Sequence, residues 1–191
     1  MTDEPGESAD RALAWAHAAV RGGATMVQLR SKLLSSGPLL SLARILVSEL
    51  SVPLIVNDRV DVAILAGAAG VHVGADDLPV ERVRALVPDG FIVGASVGSD
   101  DELAGARGAD YVGVGPVFPT TSKPDAGSAL GPAEAARLIK ASGLPGAGIG
   151  GITPHNAREV IEAGADGIAV LSAVSADPET AARALRSAIG T

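Results

Sequence analysis

Two cations and an amide stand at alternating positions in the segment Gln28-Leu29-Arg30-Ser31-Lys32. In an extended segment, this alternation directs the side chains of Gln28, Arg30 and Lys32 to one side. Two positive charges beside an amide suit an anionic ligand such as a phosphate. Each charge taken singly is more typical of a solvated or paired surface residue, so the spacing is what favours an anion site.

Carboxylates follow two further apolar runs. Asn57 and Asp58 end one of them, and Asp76 and Asp77 follow the run that contains His72. Because Mg²⁺ is commonly held by one or two carboxylates together with substrate phosphates, Asp58 and Asp77 are candidate metal ligands. The alternative is that each caps a helix. His72 lies inside an apolar run and is expected to be a hydrogen-bonded wall or core residue rather than a general base.

Glycines, hydroxyls and an amine are concentrated in two later regions. A glycine- and proline-rich turn, GVGPVFP, leads into Thr120, Ser122 and Lys123, a pattern typical of a phosphate or diphosphate clamp. Gly151 and Ser172 follow the last two apolar runs. Glycine there lets backbone N–H groups approach an anion, and a helix N-terminus adds a favourable field, whereas paired glycines alone more often form a tight turn.

Two anion sites are therefore predicted. They lie near Arg30, Lys32 and Lys123 in one case and near Gly151 and Ser172 in the other. Anion-binding residue types recur at the end of one apolar run after another, and chance would scatter them along the chain.

Strands and helices must alternate to bring these residues together. Short β-branched runs alternate with Ala-, Leu- and Arg-rich runs of helical period, which is typical of parallel βα units. The predicted strands are Thr25 to Leu29, Leu54 to Val56, Gly70 to Val73, Phe91 to Gly94, Tyr111 to Val114, Ala147 to Ile149 and Gly167 to Leu171. The predicted helices lie near Ala9 to Arg21, Pro38 to Leu50, Val60 to Ala66, Val80 to Leu86, Asp100 to Arg107, Pro132 to Ala141, Pro154 to Ala163 and Pro178 to Ile189.

Eight helices with seven strands predict an α/β fold, a (β/α)8 TIM barrel that lacks its first β-strand, because each helix of such a barrel follows a strand. A doubly wound open sheet is the alternative layout. Ser99 with Glu102 predicts a capping box at one helix start, and Thr153-Pro154 predicts another start. In a parallel barrel the active site lies at the carboxyl ends of the strands, where the candidate residues stand.

Composition limits the function classes. The 191 residues are 47% hydrophobic and 19% charged, contain no Cys and carry a net charge of -7. One domain over residues 1–191 is predicted, without thiolate chemistry or Cys-ligated zinc. The negative charge argues against nucleic-acid and anionic-membrane partners. The apolar runs are too short to span a bilayer, and the acidic start MTDEPGESAD is not a signal peptide, so a cytoplasmic location is predicted.

Seven segments resemble those of the thiamine-phosphate synthases and the related thiazole tautomerases of the same superfamily. The resemblance runs from about Ala19 to Val174. The segments that carry it are GGATMVQLRSK, VPLIVNDRVDVA, GVHVGADDLP, IVGAS, ADYVGVGPVFPTTSK, GIGGITPHNA and AGADGIAVLSAV.

The resemblance implies a reaction between two small molecules. Hydroxymethylpyrimidine diphosphate and a thiazole phosphate would give thiamine phosphate and diphosphate, with Mg²⁺ as cofactor. In that family the C–O bond to diphosphate breaks first, and the thiazole nitrogen captures the pyrimidine-methyl cation. Catalysis would then consist mostly of positioning and stabilisation of the leaving group, with no nucleic acid or membrane as partner and with a homo-oligomer as a candidate assembly.

Motif by motif, the resemblance implies roles for the candidate residues. Asp58 and Asp77 would hold Mg²⁺ on the diphosphate, and Gln28 and Asn57 would orient the pyrimidine. The diphosphate oxygens would be bound by Arg30, Lys32, Thr120, Ser122 and Lys123. The hydroxyl of Ser96 would face the reacting centre, so that Ser96, Lys123 and Arg30 are the expected catalytic residues. Gly151 and Ser172 would hold the thiazole phosphate through backbone N–H groups.

This chain departs from the family pattern at three places. Val97-Gly98 stand where the family usually has a Thr and a His, the tautomerase's acid-base group, which disfavours tautomerisation because glycine transfers no proton. Ser122 replaces a common threonine and keeps the hydroxyl donor. Met1-Thr2-Asp3 resembles the end of the family's first strand, so we expect that strand to be missing here through a misplaced start site or true loss.

Two alternatives differ in class from the synthase. Another phosphate-binding barrel enzyme, such as a sugar-phosphate epimerase, would also use the loops after the last two strands, but the carboxylates and the clamp suit a metal-bound diphosphate better. A non-catalytic barrel that binds thiamine precursors is the second alternative. Asp58, Asp77 and Lys123 argue against it, since a pure binder has little use for a metal on a leaving group.

Overall fold

A curled sheet of seven parallel strands forms the centre of the protein, seen in a computed structural model that describes residues 8–122 and 127–190. The strands are β1 (Val27–Leu29), β2 (Leu54–Asn57), β3 (Gly70–Val73), β4 (Ile92–Val97), β5 (Tyr111–Val114), β6 (Gly146–Ile149) and β7 (Gly167–Ala169). They pair in sequence order from β1 to β7. The seven predicted strands are confirmed. The doubly wound alternative is wrong, because such a sheet reverses its strand order at a switch point.

Helices cover the outer face of the sheet. They are α1 (Ala9–Arg21), α2 (Ser36–Glu49), α3 (Val60–Ala66), α4 (Val80–Arg84), α5 (Pro132–Ser142), α6 (Ala157–Ala163) and α7 (Pro178–Ile189). Single 3-10 turns span Asp100–Glu102 and Ser172–Val174. Within the described ranges, no helix is long and apolar enough to cross a membrane.

The helical layer closes on itself although the sheet does not. Within residues 8–122 and 127–190, β7 has no pairing with β1, yet α1 packs directly against α7. Arg21 Nε donates to Glu179 at 2.8 Å, and the indole Nε1 of Trp15 donates to the Val174 carbonyl at 3.0 Å. These contacts join the first and last helices around the curled sheet and tie α1 to the loop after β7.

The main core lies between the sheet and the helices. Alternate strand residues point outward into it and are fully buried, among them Val56, Val71, Val93 and Val112. Leu46, Ala63 and Leu138 meet them from the helices. Burial of a β-branched layer on this face leaves the opposite side-chain positions of each strand for the barrel interior.

One predicted helix and two predicted helix starts are wrong. Of the helix predicted from Asp100 to Arg107, only the 3-10 turn Asp100–Glu102 forms, because Gly105 lowers helix propensity and Ala106 alone among residues 100–107 is fully buried. Glu102 does not complete a capping box on Ser99; its carboxylate instead accepts from the Gly98 N–H at 2.7 Å. The helix predicted from Pro154 begins at Ala157, with Asn156 as its N-cap.

We expect Trp15→Phe to lower the free energy of unfolding by about 1–2 kcal/mol, because it removes the indole donor to Val174 and some packing. Arg21→Gln is the matched control on the same helix. Its ion pair with Glu179 is well exposed, so its loss should cost less than about 0.5 kcal/mol. Urea unfolding followed by circular dichroism measures both; an equal cost for the two variants would contradict this account of the α1–α7 junction.

Candidate functional site

The interior face of the sheet brings polar side chains from neighbouring strands into one layer. The parallel register places Asn57 beside His72, and His72 beside Gly94. Gly94 in turn pairs with Tyr111, while Ser96 lies two residues further along β4. Because side chains alternate along a strand, all of these positions face the barrel interior.

His72 joins two of these residues. Its Nδ1 lies 3.0 Å from the Tyr111 hydroxyl and its Nε2 lies 3.0 Å from Ser96 Oγ. Only 8% of His72 is exposed, and burial raises the pKa of Tyr111 to about 12. The expectation that His72 is a hydrogen-bonded wall or core residue is confirmed. Tyr111 is absent from the predicted site, although it is the only Tyr of the chain and its alternation with Gly113 could have signalled an inward position.

Asp58 turns the chain sharply at the end of β2. It is the only non-glycine residue among those described with a positive φ, at 61°, and its N–H donates to the His72 carbonyl at 2.8 Å. Asp tolerates this left-handed conformation better than most residues, and such strain is often found at functional sites. The turn leaves Asp58 exposed just before α3.

Asp77 lies in the loop after β3, the strand next to β2. Its Oδ2 accepts from the Gly74 N–H at 2.8 Å, which holds the carboxylate against the loop while the residue stays exposed. In the described part of the chain, no group of three or more His, Asp or Glu residues could hold a metal ion. Two separate carboxylates fit Mg²⁺, which completes its shell with waters and substrate phosphates, and do not fit an all-protein metal cage.

A groove of about 560 Å³ lies where the loops after β5, β6 and β7 meet. It is lined by Pro119, Thr120, Thr121, Ser122, Gly151, Ile152, Thr153, Ser172 and Ala173. Members of both predicted anion sites therefore share one groove: Thr120 and Ser122 face it together with Gly151 and Ser172. Lys123 lies outside the described residues.

The other predicted site residues do not line this groove. Gln28 and Arg30 lie at and just after the end of β1, half-buried, and Lys32 is exposed two residues on. Asp58 lines a separate groove of about 480 Å³ together with Leu78 and Leu86. The described part of the candidate site is thus spread around the carboxyl ends of the strands. Its hydroxyls and glycines lie after β5, β6 and β7, whereas Arg30, Lys32 and the two carboxylates lie after β1, β2 and β3.

Gly151 lies in a turn that has no room for a side chain, so any other residue there would force its neighbours to move. Its φ is 63°, and a Cβ there would lie 2.6 Å from the Pro119 carbonyl oxygen and 2.8 Å from the Phe118 Cβ. Asn156 supports the same turn, since its Nδ2 donates to the Gly151 carbonyl at 3.1 Å and its Oδ1 accepts from the Thr153 N–H at 2.7 Å. The sequence prediction missed Asn156, because the helix predicted from Pro154 included it; the available signal was that Asn is a favoured N-cap residue.

Ser172 opens the 3-10 turn that follows β7. The Ser172 carbonyl accepts from the Ser175 hydroxyl at 2.8 Å, and the last residue of the turn, Val174, accepts from Trp15. The loop is therefore fixed both internally and by α1. Its partner across the groove is the turn at Gly151.

Comparison with known proteins shows the family to which the chain belongs. A family model described as thiamine monophosphate synthase matches residues 2–174. The chain belongs to that family. A thiamine-phosphate synthase of Methanoculleus marisnigri is 51% identical over 181 residues, which cover 91% of this chain and 86% of that protein.

Solved structures agree with this assignment. The thiamine phosphate pyrophosphorylase of Pyrococcus furiosus has a TM-score of 0.83 and 37% identity, and the match covers 93% of this chain and 89% of that one. A 3-hexulose-6-phosphate synthase, with a TM-score of 0.72 and 22% identity over 95% of this chain and 94% of that one, shares the fold alone. The TIM-barrel-like architecture predicted from the sequence is confirmed.

The chain acts as a thiamine-phosphate synthase in thiamine biosynthesis, and is therefore a transferase whose substrates are a pyrimidine and a thiazole. The synthase interpretation is confirmed over the sugar-phosphate epimerase and the non-catalytic barrel. The roles of the individual site residues stay predictions.

We expect Gly151→Ala to raise the KM for thiazole phosphate by about tenfold or more, since the added Cβ must displace the Phe118–Pro119 backbone that borders the groove. Gly143→Ala is the matched control. Gly143 also has a left-handed φ, 69°, but nothing lies within 4 Å of its Cβ position. The left-handed φ should cost each variant about 1 kcal/mol of stability, and Gly151→Ala should lose more than Gly143→Ala because of its contacts with the Phe118–Pro119 backbone. A KM change of the same size in both would contradict a binding role for the Gly151 turn.

Proposed function

We propose that the site transfers the pyrimidinylmethyl group by dissociative substitution. The C–O bond between the methyl carbon and the diphosphate breaks first, the electron pair leaves with the diphosphate, and the thiazole nitrogen then forms the C–N bond. No covalent nucleophile of the protein takes part. The chain therefore needs groups that hold two anions, stabilise one as it departs and keep the two reactants aligned.

One observation carries this proposal: the hydroxyls of the clamp segment and the two glycine- and serine-containing turns border a single groove. In the proposal, the backbone N–H groups of Gly151 and Ser172 hold the thiazole phosphate. The hydroxyls of Thr120 and Ser122 donate to oxygens of the diphosphate. Adjacent anion sites suit this transfer, because the thiazole nitrogen must attack the methyl carbon from which the diphosphate has just departed.

Positively charged side chains would balance the growing charge of the diphosphate. Arg30 follows β1 at the rim of the barrel and Lys32 lies two residues on; together with Lys123 they supply three positive charges. Interactions that strengthen as charge develops raise turnover more than they raise substrate affinity. Gln28 on β1 and Asn57 on β2 face the barrel interior. In the proposal, their amide groups donate hydrogen bonds to the pyrimidine ring and accept hydrogen bonds from it.

Asp58 and Asp77 are the proposed Mg²⁺ ligands. Both are exposed carboxylates, they follow neighbouring strands, and hard oxygen donors of this kind fit the ion. Bound there, Mg²⁺ would neutralise charge on the diphosphate and improve it as a leaving group. The Gly74 N–H would keep Asp77 oriented, because that hydrogen bond uses one carboxylate oxygen and leaves the other for a ligand.

Thiazole tautomerisation, the second candidate activity, has no support at the position where the resemblance expects its acid-base group. Gly98 stands there without a side chain, and its N–H donates to the Glu102 carboxylate. The single domain over residues 1–191, the cytoplasmic location and the homo-oligomer also stay predictions. Sedimentation velocity measures the last of these.

The direct test is formation of thiamine phosphate from hydroxymethylpyrimidine diphosphate and thiazole phosphate, with Mg²⁺ and with excess EDTA. We expect product only with the metal, and no product from either substrate alone. Equal rates with and without EDTA would contradict the metal site, whereas release of diphosphate without thiamine phosphate would contradict the coupled transfer.

We expect Asp77→Asn to raise the Mg²⁺ concentration for half-maximal rate by about tenfold or more, because the amide keeps an oxygen for the Gly74 N–H but loses the charge that binds the metal. Asp89→Asn, an exposed carboxylate in the turn before β4, should leave the Mg²⁺ dependence unchanged. Titration of the metal in the product assay measures both. An unchanged Mg²⁺ dependence for Asp77→Asn would remove Asp77 from the proposed metal site.

A further inference from the structure

The barrel interior contains a hydrogen-bonded chain that crosses three strands. It runs from the Tyr111 hydroxyl on β5 to His72 Nδ1 on β3, and from His72 Nε2 to Ser96 Oγ on β4, with 3.0 Å at each step. Tyr111 and His72 touch neither the groove lined by Gly151 nor the one beside Leu78. Ser96 is the member of the chain nearest the carboxyl-end mouth, because it lies two residues further along its strand than the Gly94 that pairs with His72.

Glycines make the space that these rings occupy. A Cβ at Gly94 would overlap the Tyr111 ring and lie 2.5 Å from His72 Nδ1, and a Cβ at Gly113 would lie 3.1 Å from His72 Cε1. Two neighbouring strands, β4 and β5, thus have glycine at the positions where the imidazole of His72 and the phenol of Tyr111 meet. Glycine weakens a strand interior and often marks such a close approach, so the arrangement is built into the sheet and is not a chance contact.

A neutral imidazole between two hydroxyls must donate through one nitrogen and accept through the other. Of the two hydroxyls, the phenol of Tyr111 is the stronger donor and the weaker acceptor, since its lone pair is delocalised into the ring. The favoured direction is therefore Tyr111 O–H to His72 Nδ1, and His72 Nε2–H to Ser96 Oγ. Burial raises the pKa of Tyr111 to about 12, so the phenol keeps the proton that this direction requires.

The direction decides what Ser96 can do. If Nε2 donates to Ser96 Oγ, the serine hydroxyl proton remains available for an acceptor at the barrel mouth. If Nε2 accepts instead, the serine proton is already used inside the barrel. Only the first arrangement presents a hydrogen-bond donor to a substrate.

We propose that Tyr111 and His72 are positioning residues that hold Ser96 Oγ as an acceptor from inside the barrel and so direct its O–H to an oxygen of the departing diphosphate. No proton is transferred along this chain, and no bond other than hydrogen bonds forms or breaks in it. The inference rests on the proposed role of Ser96 at the reacting centre. It adds that this role depends on the phenol two hydrogen bonds away.

The kinetic test is a double-mutant cycle with Tyr111→Phe and Ser96→Ala. Tyr111→Phe keeps the ring that packs on Gly94 and removes only the hydroxyl. We expect it to lower kcat by about tenfold with little change in the KM for thiazole phosphate, as for the loss of one hydrogen bond made in the transition state. In the Ser96→Ala background the same substitution should change kcat less than about twofold, because its effect passes through the missing hydroxyl.

The outcomes distinguish the positioning of Ser96 by Tyr111 and His72, called the relay below, from the role of Ser96 itself. A full kcat for Ser96→Ala would contradict the role of Ser96 and the relay with it. A lowered kcat for Ser96→Ala, with a Tyr111→Phe effect that is absent or equal in both backgrounds, would overturn the relay alone, since a merely structural role costs the same with or without the serine hydroxyl.

A second measurement needs no activity. The chain contains three His, so the ¹⁵N resonances of His72 can be assigned by their loss in His72→Gln. We expect the unsubstituted protein at neutral pH to show His72 as the Nε2–H tautomer, and Tyr111→Phe to shift the population toward Nδ1–H. An Nδ1–H tautomer in the unsubstituted protein would overturn the proposed direction of the hydrogen bonds.

Discussion

The parallel pairing of β1 to β7 in sequence order is the constraint on which the rest of the structure depends. Because every strand runs in the same direction, the residue that follows each strand emerges at the same edge of the sheet. This places Asp58 after β2, Ser96 near the end of β4 and Gly151 after β6 at the same edge of the sheet, although they are far apart in the chain. The helices on the outer face bury the β-branched layer and make that pairing stable, while the interior face is free to carry polar groups and glycines.

Inward-facing glycines reduce side-chain packing inside this barrel and leave room for larger polar side chains. The chain has only 2% aromatic residues and 24 Gly, and Gly70, Gly94 and Gly113 occupy inward positions on three consecutive strands. Each glycine lowers the stability of its strand. The close contacts at Gly94 and Gly113 show what takes up the room: His72 and Tyr111, a buried polar pair whose hydrogen bonds are all satisfied and which therefore rigidifies the wall of the site.

Much of the fold could be predicted from the sequence because strand position follows from short β-branched runs between helical ones. The helix predicted from Asp100 does not form because Gly105 lowers helix propensity and Ala106, the one fully buried residue of the segment, is too little apolar contact to hold a helix against the sheet. The residues after each strand could likewise be predicted, since alternation and strand direction place them. The pairing of His72 with Tyr111 and Ser96 could not be predicted. These residues lie 39 and 24 positions from His72 in the chain, and their contact depends on the register between strands, which a single sequence does not reveal.

The contacts that support the groove lined by Gly151 and Ser172 could not be predicted from the sequence either. Asn156 acts through the Gly151 carbonyl, and Trp15 acts through Val174 from the opposite end of the chain. Asn156 holds the Gly151 turn that lines the groove, and Trp15 holds the residue next to the groove-lining Ser172 and Ala173. The sequence analysis predicted neither contact, and only the closure of α1 on α7 shows that the first helix of the chain supports the loop after β7.

The most direct test of the central claim, that both anions bind at the carboxyl ends of the strands on either side of the clamp segment, is a crystal structure with thiamine phosphate, diphosphate and Mg²⁺ bound. We expect the phosphate group of thiamine phosphate on the N–H groups of Gly151 and Ser172, and the diphosphate on Thr120 and Ser122. A thiamine phosphate whose phosphate group contacts neither Gly151 nor Ser172, or a diphosphate that contacts neither Thr120 nor Ser122, would contradict the claim.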